Sequence, residues 1–256
     1  MIVTLTTDFG LHDPYVGIMK GVLLGINPGL TVVDLCHTIP PQSVRQAAFQ
    51  LLLTYRYFPG DTIHLVVVDP GVGTRRAILL VTSNEGRFIA PDNGAISYVL
   101  ENLSNVSLYR LTNQRYWLSP LSSTFHGRDI IAPVAAHLSL GVPPAELGEP
   151  MSKPRSFTLP RPYRHKRGTL IGEVIYIDGF GNLITNVKDT DLVEPVKTIE
   201  IAGKVIPKLS RSYAGGQRLT ALIDSGGFLE IAVKNGNAAK ELEVSTGTQV
   251  VIRFAR

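Results

Sequence analysis

The chain has 256 residues, of which 44% are hydrophobic and 18% are charged, and this balance excludes an intrinsically disordered protein. A single cysteine, Cys36, excludes a disulfide framework and a zinc site built from cysteines. No apolar run is long enough to cross a membrane and the first residues lack a signal-peptide pattern, so we expect a cytoplasmic protein.

The first part of the chain alternates strand and helix patterns. Strands are predicted at residues 2–7, 30–35 and 62–68, and helices at residues 15–26 and 44–57. Each helix pattern ends at a proline–glycine pair, which is a strong stop signal. The β-α-β-α-β order indicates a parallel sheet with helices on its faces.

The middle of the chain adds a hairpin and two further helices. Apolar residues at 77–83 and 87–90 flank a short turn that contains glycine, which is typical of paired strands. A helix is predicted at residues 95–101, a strand at 106–111 and another helix at 129–140.

The last part of the chain has short strand patterns separated by glycine turns. They lie at residues 169–177, 183–187, 198–201, 218–223, 228–233 and 249–254. Such a series favours a small antiparallel barrel. We therefore predict an α/β protein with two domains: an N-terminal α/β domain with a mainly parallel sheet over residues 1–155, and a smaller C-terminal antiparallel β-barrel domain over residues 169–256.

Residues 156–168 are predicted to be a basic, proline-containing linker. Much of the net charge of +4 falls between Lys153 and Arg167, in a stretch that holds three prolines. A nucleic-acid patch is one interpretation of this charge. Few aromatic residues interrupt the stretch, so a solvated linker is favoured and we expect no nucleic-acid partner.

The sequence LVVVDPGVGTRR, residues 65–76, places a carboxylate and an arginine on either side of a glycine turn. Four apolar residues predict a buried strand that ends at Asp69. Open α/β sheets bind their ligands at the carboxyl ends of such strands. The turn is therefore either part of a ligand site or a structural turn with an exposed ion pair.

Sequence motifs for several common chemistries are absent. The chain has no 12-residue calcium loop, no paired zinc-ligand motif, no phosphate-binding P-loop and no nucleophile elbow of a serine hydrolase. We therefore expect no metal and no cofactor. An acid–base set remains, in which His126 in the loop sequence SSTFHGR is a candidate and His12 competes with it. His64 and His137 are predicted to be packing residues.

Five segments together resemble one family, the S-adenosyl-L-methionine hydroxide adenosyltransferases, which is the hydrolase branch of the family that includes the fluorinase and the chlorinase. The segments are TTDFGxxDPYVG at residues 6–17, VVDPGVGTRR at 67–76, APDNG at 90–94, TFHGRD at 124–129 and IDGFGNLITN at 177–186. They occur in the family's order and span nearly the whole chain.

This resemblance implies an enzyme that splits S-adenosyl-L-methionine with water into adenosine and L-methionine. It also implies an N-terminal α/β domain, a C-terminal β-barrel and a homotrimer with the substrate between subunits. The Asp-Arg-His set of the hydrolase branch corresponds to Asp69, Arg76 and His126. Which of Asp69 and His126 acts as the base is left open.

The resemblance also implies substrate-binding roles. Asp8 would bind the ribose hydroxyls, because one carboxylate can accept from two hydroxyl donors. Asp13, Asp178 and Ser225 would hold the methionine part.

The remaining substrate contacts implied by the resemblance involve the adenine and the reacting carbon. Asn182 would read the adenine edge, and Phe180 and Tyr213 would face the adenine or the ribose. The residues expected to wall the reacting carbon are Val72, Thr124 and Phe125.

The chain departs from the halogenase branch where the halide would be held. Gly127 and His126 replace the serine and tyrosine of the fluorinase, Asp69 replaces an aromatic residue, and Gln42 replaces a tryptophan. Gly226 replaces an arginine of the methionine site, so the residue that holds the methionine carboxylate is not defined. A halogenase and a non-catalytic module that binds S-adenosylmethionine or adenosine are the alternatives to the hydrolase.

Overall fold

A computed structural model describes residues 1–165 and 168–255 of the chain. The chain divides into two compact units, residues 1–158 and 159–256, and each is described by itself. The proposed domain limits stay a prediction. Within the segment predicted as a linker, residues 163–165 form a strand, and Lys166 and Arg167 lie outside the described residues.

The first unit alternates strands and helices from its start. In chain order its elements are β1 (Ile2–Thr7), α1 (Tyr15–Ile26), β2 (Thr31–Cys36), α2 (Val44–Thr54), β3 (Ile63–Val67), β4 (Ile78–Thr82), β5 (Arg87–Pro91), α3 (Ser97–Leu100), β6 (Ser107–Leu111), α4 (Ala132–Ser139), α5 (Pro144–Leu147) and β7 (Gly148–Pro150). Short 3₁₀ turns cover Tyr55–Tyr57 and Gln114–Tyr116, and a π-helical turn covers Gly127–Ile131.

The seven strands of this unit form one sheet in the order β2-β1-β3-β5-β4-β6-β7. Pairs β1–β2, β1–β3 and β3–β5 are parallel, as the alternation of strands and helices predicts. Pairs β4–β5, β4–β6 and β6–β7 are antiparallel. The predicted α/β class is confirmed, but the sheet is mixed rather than mainly parallel, because the hairpin of β4 and β5 joins it as an antiparallel pair.

Strand β3 is buried on both faces of the sheet. Leu65 and Val67 pack into one core with helices α1 and α4, and Val66 and Val68 pack into a second core with helix α2. Side chains alternate between the two faces of a strand, so a continuous apolar run supplies both cores. The run stops at Asp69, where the sheet ends and the polar site begins.

The second unit is an eight-stranded antiparallel sheet with a barrel-like arrangement. Its elements are β8 (Tyr163–His165), β9 (Thr169–Ile177), β10 (Leu183–Lys188), β11 (Val196–Ile201), β12 (Lys204–Ile206), β13 (Leu219–Ile223), β14 (Phe228–Val233), α6 (Ala238–Glu241) and β15 (Gln249–Phe254), with a 3₁₀ turn at Asp189–Asp191. The strand order is β12-β11-β15-β9-β10-β14-β13, with β8 paired to β9. The inward-facing residues of these strands form a single apolar core, which confirms the predicted β-rich half.

Candidate active site

The site in the first unit lies where strands β1 and β3 end side by side. The two strands are parallel and their register pairs Thr7 with Val67, so Asp8 and Asp69 follow at the same edge of the sheet. The carboxylate of Asp8 accepts a hydrogen bond from the backbone N–H of Gln42 at 2.8 Å. This bond fastens the loop after β2 to the end of β1.

The turn after Asp69 is fixed by its own side chains and by a neighbouring loop. Asp69 Oδ1 accepts from the backbone N–H of Gly71 at 3.2 Å. Gly73 has φ +76°, a left-handed conformation that glycine adopts readily, and a Cβ at this position would clash with the carbonyl oxygen of Ser123. Gly73 thus lets the turn pack directly against the loop that leads to His126.

Arg76 joins Asp69 to His126 by hydrogen bonds. Its Nε donates to Asp69 Oδ1 at 2.9 Å and to Oδ2 at 2.8 Å, and its Nη2 also donates to Oδ2. The same Nη2 lies 2.9 Å from Nδ1 of His126. The side chains of Arg76 and Asp69 are 5% and 7% exposed, so this is a buried ion pair rather than the exposed pair considered from sequence.

The contact with Arg76 fixes the proton on His126. A guanidinium can only donate hydrogen bonds, so Nδ1 of His126 must accept and the imidazole is neutral with its proton on Nε2. Burial lowers the pKa of His126, and the charge of Arg76 lowers it further. Asp69, Asp129 and a hydrogen bond to the backbone of Ser122 oppose this shift.

Asp129 is a site-supporting residue that the sequence interpretation did not assign. Its side chain is 1% exposed, and its Oδ2 accepts from the backbone N–H of Ser122 at 2.8 Å. Its second partner is the guanidinium of Arg128. The π-helical turn Gly127–Ile131 places Asp129 toward the loop that it holds. The signal in the sequence was an aspartate directly before two isoleucines, which the structure buries. A carboxylate buried beside them needs hydrogen-bond partners.

A cavity of about 430 Å³ opens over these groups. Seven of the predicted site residues line it, namely Asp8, Asp13, Asp69, Val72, Thr124, Phe125 and His126. Arg76 does not itself line this cavity, but it bonds to Asp69 and His126, which do. His12, the competing candidate base, is exposed and does not line this cavity.

An aromatic cluster forms one wall of the cavity. The rings of Phe9, Tyr15 and Phe125 pack against one another at centroid distances of 5.3 to 5.6 Å. Sequence reasoning selected Phe125 and missed the other two. Both lie inside the first quoted motif, where Tyr15 begins helix α1.

Five further predicted residues lie in the second unit. Asp178 Oδ1 accepts from the backbone N–H groups of Phe180 and Asn182 at 2.9 and 2.8 Å, and its Oδ2 accepts from the amide of Asn182 at 3.0 Å. Phe180 is 79% exposed, and Ser225 is exposed in a turn between β13 and β14. Asp178, Phe180 and Asn182 therefore form one local turn.

Tyr213 leads to another buried carboxylate that sequence reasoning missed. Its hydroxyl donates to Oε1 of Glu230 at 2.6 Å, and Glu230 is buried at 4% exposure in strand β14. Burial raises the pKa of Glu230, and the charges of Asp178 and Asp224 raise it further, whereas the bond from Tyr213 opposes them. Tyr213 is thus anchored at its hydroxyl while its ring is half exposed.

Neither a metal-ligand cluster nor a membrane-spanning helix occurs in the described residues, 1–165 and 168–255. They contain no group of three or more histidine, cysteine, aspartate or glutamate side chains arranged to hold a metal ion. Within the same residues no helix is both long enough and apolar enough to span a bilayer.

The fold and the site together define an α/β protein of two compact units, in which a mixed sheet carries a buried, hydrogen-bonded Asp-Arg-His set at its edge and an antiparallel barrel-like unit follows in the chain. Family profiles of the SAM hydroxide adenosyltransferase N-terminal and C-terminal domains match residues 3–148 and 172–251. The chain belongs to the SAM hydroxide adenosyltransferase family, which confirms the resemblance seen in its motifs.

Individual relatives are similar over three quarters of the chain or more. The (R)-S-adenosyl-L-methionine hydrolase of Thermus thermophilus is 38% identical, over 95% of this chain and 96% of its own length. The fluorinase of an Actinoplanes species is 30% identical over 75% of this chain and 73% of its own. The crystal structure of an uncharacterized conserved protein from Thermotoga maritima matches with a TM-score of 0.91 at 36% identity, over 99% of this chain and 100% of that one.

Proposed function

We propose that this protein hydrolyses S-adenosyl-L-methionine to adenosine and L-methionine. The observation that carries the proposal is the hydrogen-bonded chain of Asp69, Arg76 and His126 at the cavity of the first unit. Relatives that are 35% and 38% identical over almost their whole length carry the name (R)-S-adenosyl-L-methionine hydrolase. The substrate is then S-adenosylmethionine itself, and no cofactor takes part.

In the proposed reaction a water oxygen attacks C5′ while the bond from C5′ to sulfur breaks. The electron pair stays on sulfur, which leaves as the neutral thioether of methionine. Free hydroxide at pH 7 would cost about 12 kcal/mol, from a water pKa of about 15.7 and ~1.36 kcal/mol per unit. The proton must therefore move to a protein group as the attack proceeds.

Asp69 is the group that we assign to receive this proton. Nδ1 of His126 accepts from Arg76, and a further hydrogen bond joins the ring to the backbone of Ser122, so its nitrogens are occupied. A carboxylate has about four acceptor positions. Arg76 Nε, Arg76 Nη2 and the N–H of Gly71 bond to these positions, with Nε shared between both oxygens. Asp69 also lines the cavity, so a water bound there can reach its carboxylate.

Arg76 and His126 then act by positioning. Arg76 holds the Asp69 carboxylate from one side, and its permanent charge stabilises negative character on the attacking oxygen. His126 holds Arg76 in place. The sulfonium loses its charge as the new bond forms, and a cavity with little water favours that loss. Fixing the water in line with the breaking bond contributes further to the rate.

Substrate contacts follow from the same proposal. Asp8 would bind the ribose hydroxyls, Asp13 the methionine ammonium, and Val72, Thr124 and Phe125 would surround C5′. In the second unit, Asp178 and Ser225 would hold the methionine part and Asn182 would read the adenine, with Phe180 and Tyr213 against its ring or the ribose. The site would be completed between the subunits of a homotrimer in the cytoplasm.

A halogenase is the less favoured alternative. Asp69 and Arg76 occupy the strand end with a buried ion pair, and Gly127 offers no hydroxyl to a halide. A carboxylate at this position repels a halide ion and accepts a proton from water. A non-catalytic binding module would not need the hydrogen bonds that join Asp69, Arg76 and His126.

The proposal is tested by incubating the protein with S-adenosylmethionine in ¹⁸O-labelled water and analysing the products by mass spectrometry. We expect adenosine with ¹⁸O at its 5′ oxygen, plus methionine, from the wild type. Asp69→Asn should lose this activity, and Asp61→Asn, which changes an exposed aspartate, should keep it. Binding without turnover in the wild type, or a 5′-halo product with chloride, would refute the proposal.

A further inference from the structure

A second cavity, of about 420 Å³, lies in the first unit and shares no lining residue with the first. One side is the segment Arg75–Ala77 that follows the active-site turn. The other sides come from Asp92, from Arg110 on β6, and from the segment 149–155 that contains the end of strand β7. Of its lining residues, the proposed hydrolysis uses Arg76 alone.

Three arginines in the lining have no ionic partner. Across residues 1–165 and 168–255, the side chains of Arg75, Arg110 and Arg155 make no ion pair with a carboxylate. Other arginines of the chain do so, as Arg164 pairs with Glu194 and Arg218 with Glu241. Arg56 and Arg115 also lack a carboxylate partner among the described residues, so what distinguishes the cavity is that three unpaired guanidiniums line one concavity.

The two carboxylates of the lining offset only part of the positive charge of these three arginines. Asp92 is buried and its Oδ1 accepts from the backbone N–H of Arg155 at 2.7 Å. Glu149 lies opposite Arg110 in the register of β6 and β7 but is not within ion-pair distance of it. The charge of Arg76, which also lines the cavity, is already balanced by Asp69. A net positive charge remains.

We propose that this cavity binds a small anion that carries two or more phosphate groups, such as pyrophosphate or a nucleoside diphosphate. Arginine matches phosphate geometry with two parallel hydrogen bonds, and unpaired guanidiniums that share one concavity repel each other until an anion neutralises them. Three separate guanidiniums around about 420 Å³ suit several phosphate groups better than one. The volume falls within the usual range of small-molecule sites.

The site would also be connected to the candidate active site through the backbone. Arg75 is adjacent to Arg76, whose guanidinium holds both Asp69 and His126. An anion held by Arg75 would therefore restrain the turn that carries the active arginine. The binding proposal itself does not depend on the proposed hydrolysis, so either can fail without the other.

The test is isothermal titration of the full-length protein with inorganic pyrophosphate at constant ionic strength, with ADP in a second series to show whether a nucleoside adds affinity. We expect saturable binding with one pyrophosphate per chain. The double variant Arg110→Gln/Arg155→Gln should weaken it about 100-fold, because each removes a charge-assisted hydrogen bond to phosphate. The exposed pair Arg56→Gln/Arg115→Gln changes the net charge equally and should bind as the wild type does.

Two controls locate the anion. A saturating concentration of adenosine should not displace pyrophosphate, since the two cavities share no lining residue. Arg75→Gln alone should weaken pyrophosphate binding about tenfold. Failure of the wild type to bind, equal affinity in the double variant, or displacement of pyrophosphate by adenosine would each overturn the proposal. So would a changed sedimentation coefficient of the double variant, because the cavity would then be a contact between copies of the chain.

Discussion

Acid should destabilise the protein through His64, which lies in the strand that leads to Asp69. The imidazole is fully buried, its Nδ1 lies 2.9 Å from the hydroxyl of Thr4, and its ring stacks on Phe88 at 5.1 Å. Burial lowers the pKa of His64 to about 4, because a charged imidazolium at this position would lose its hydration.

The sign of the effect follows from which state binds the proton. In the unfolded chain the pKa of His64 returns to its ordinary value of 6.5, so between pH 6.5 and about 4 the unfolded state binds more protons. The stabilising contribution is complete above pH 6.5 and is lost as the pH falls through this window. At ~1.36 kcal/mol per pKa unit, the full loss is roughly 3 kcal/mol, of which about 2 kcal/mol is lost by pH 5.

The measurement is urea denaturation of the wild type and His64→Gln at pH 7.5 and pH 5.0. The wild type should lose about 2 kcal/mol more unfolding free energy than the variant on going to pH 5.0. His126 and His137, whose pKa values burial also lowers, act in the same direction in both proteins and cancel in the comparison. The exposed His12→Gln should behave as the wild type. Equal pH dependence in wild type and His64→Gln would refute the reasoning.

Three further predictions concern the candidate active site. Asp69→Asn should lower the unfolding free energy by roughly 3–5 kcal/mol in chemical denaturation, because it leaves the guanidinium of Arg76 buried without its partner. Gly73→Ala should lower the unfolding free energy by about 1–3 kcal/mol in the same denaturation experiment, since the positive φ of Gly73 and its approach to Ser123 both exclude a Cβ. His126→Asn keeps an acceptor for Arg76, so its rate of hydrolysis above pH 6.5 should stay within about tenfold of the wild-type rate, whereas His126→Phe should be inactive. An inactive His126→Asn would instead indicate that the histidine is the base.

Much of the fold could be predicted from the sequence because the signals are local. Helix α1 and strands β9, β14 and β15 have the predicted limits, since apolar periodicity and glycine or proline stops act on neighbouring residues. The predicted helix at residues 129–140 begins instead as a π-helical turn at Gly127. The sequence did not predict strands β7 and β12, because a strand of three residues is too short to show an alternating pattern.

The residues of the candidate site could be named from motifs, but their relations could not. The five motifs are contiguous stretches, so their residue types are visible in the chain itself. The bond between Arg76 and His126 joins positions 50 apart, and the one between Asp129 and Ser122 depends on a helical turn that the residue pattern did not predict. The relation of Glu230 to Tyr213 depends on barrel strands in the same way.

The sequence by itself determined the class of the two halves and the strand that ends at Asp69, and it named the candidate acid–base groups. The tertiary structure alone decided that the sheet is mixed, that Asp69 and Arg76 form a buried pair, and that the nitrogens of His126 are occupied. It also decided that three arginines from distant segments share one cavity. The physical reason is that local conformation depends on adjacent residues, whereas burial, pKa and hydrogen-bond partners depend on which distant segments the packed strands bring together.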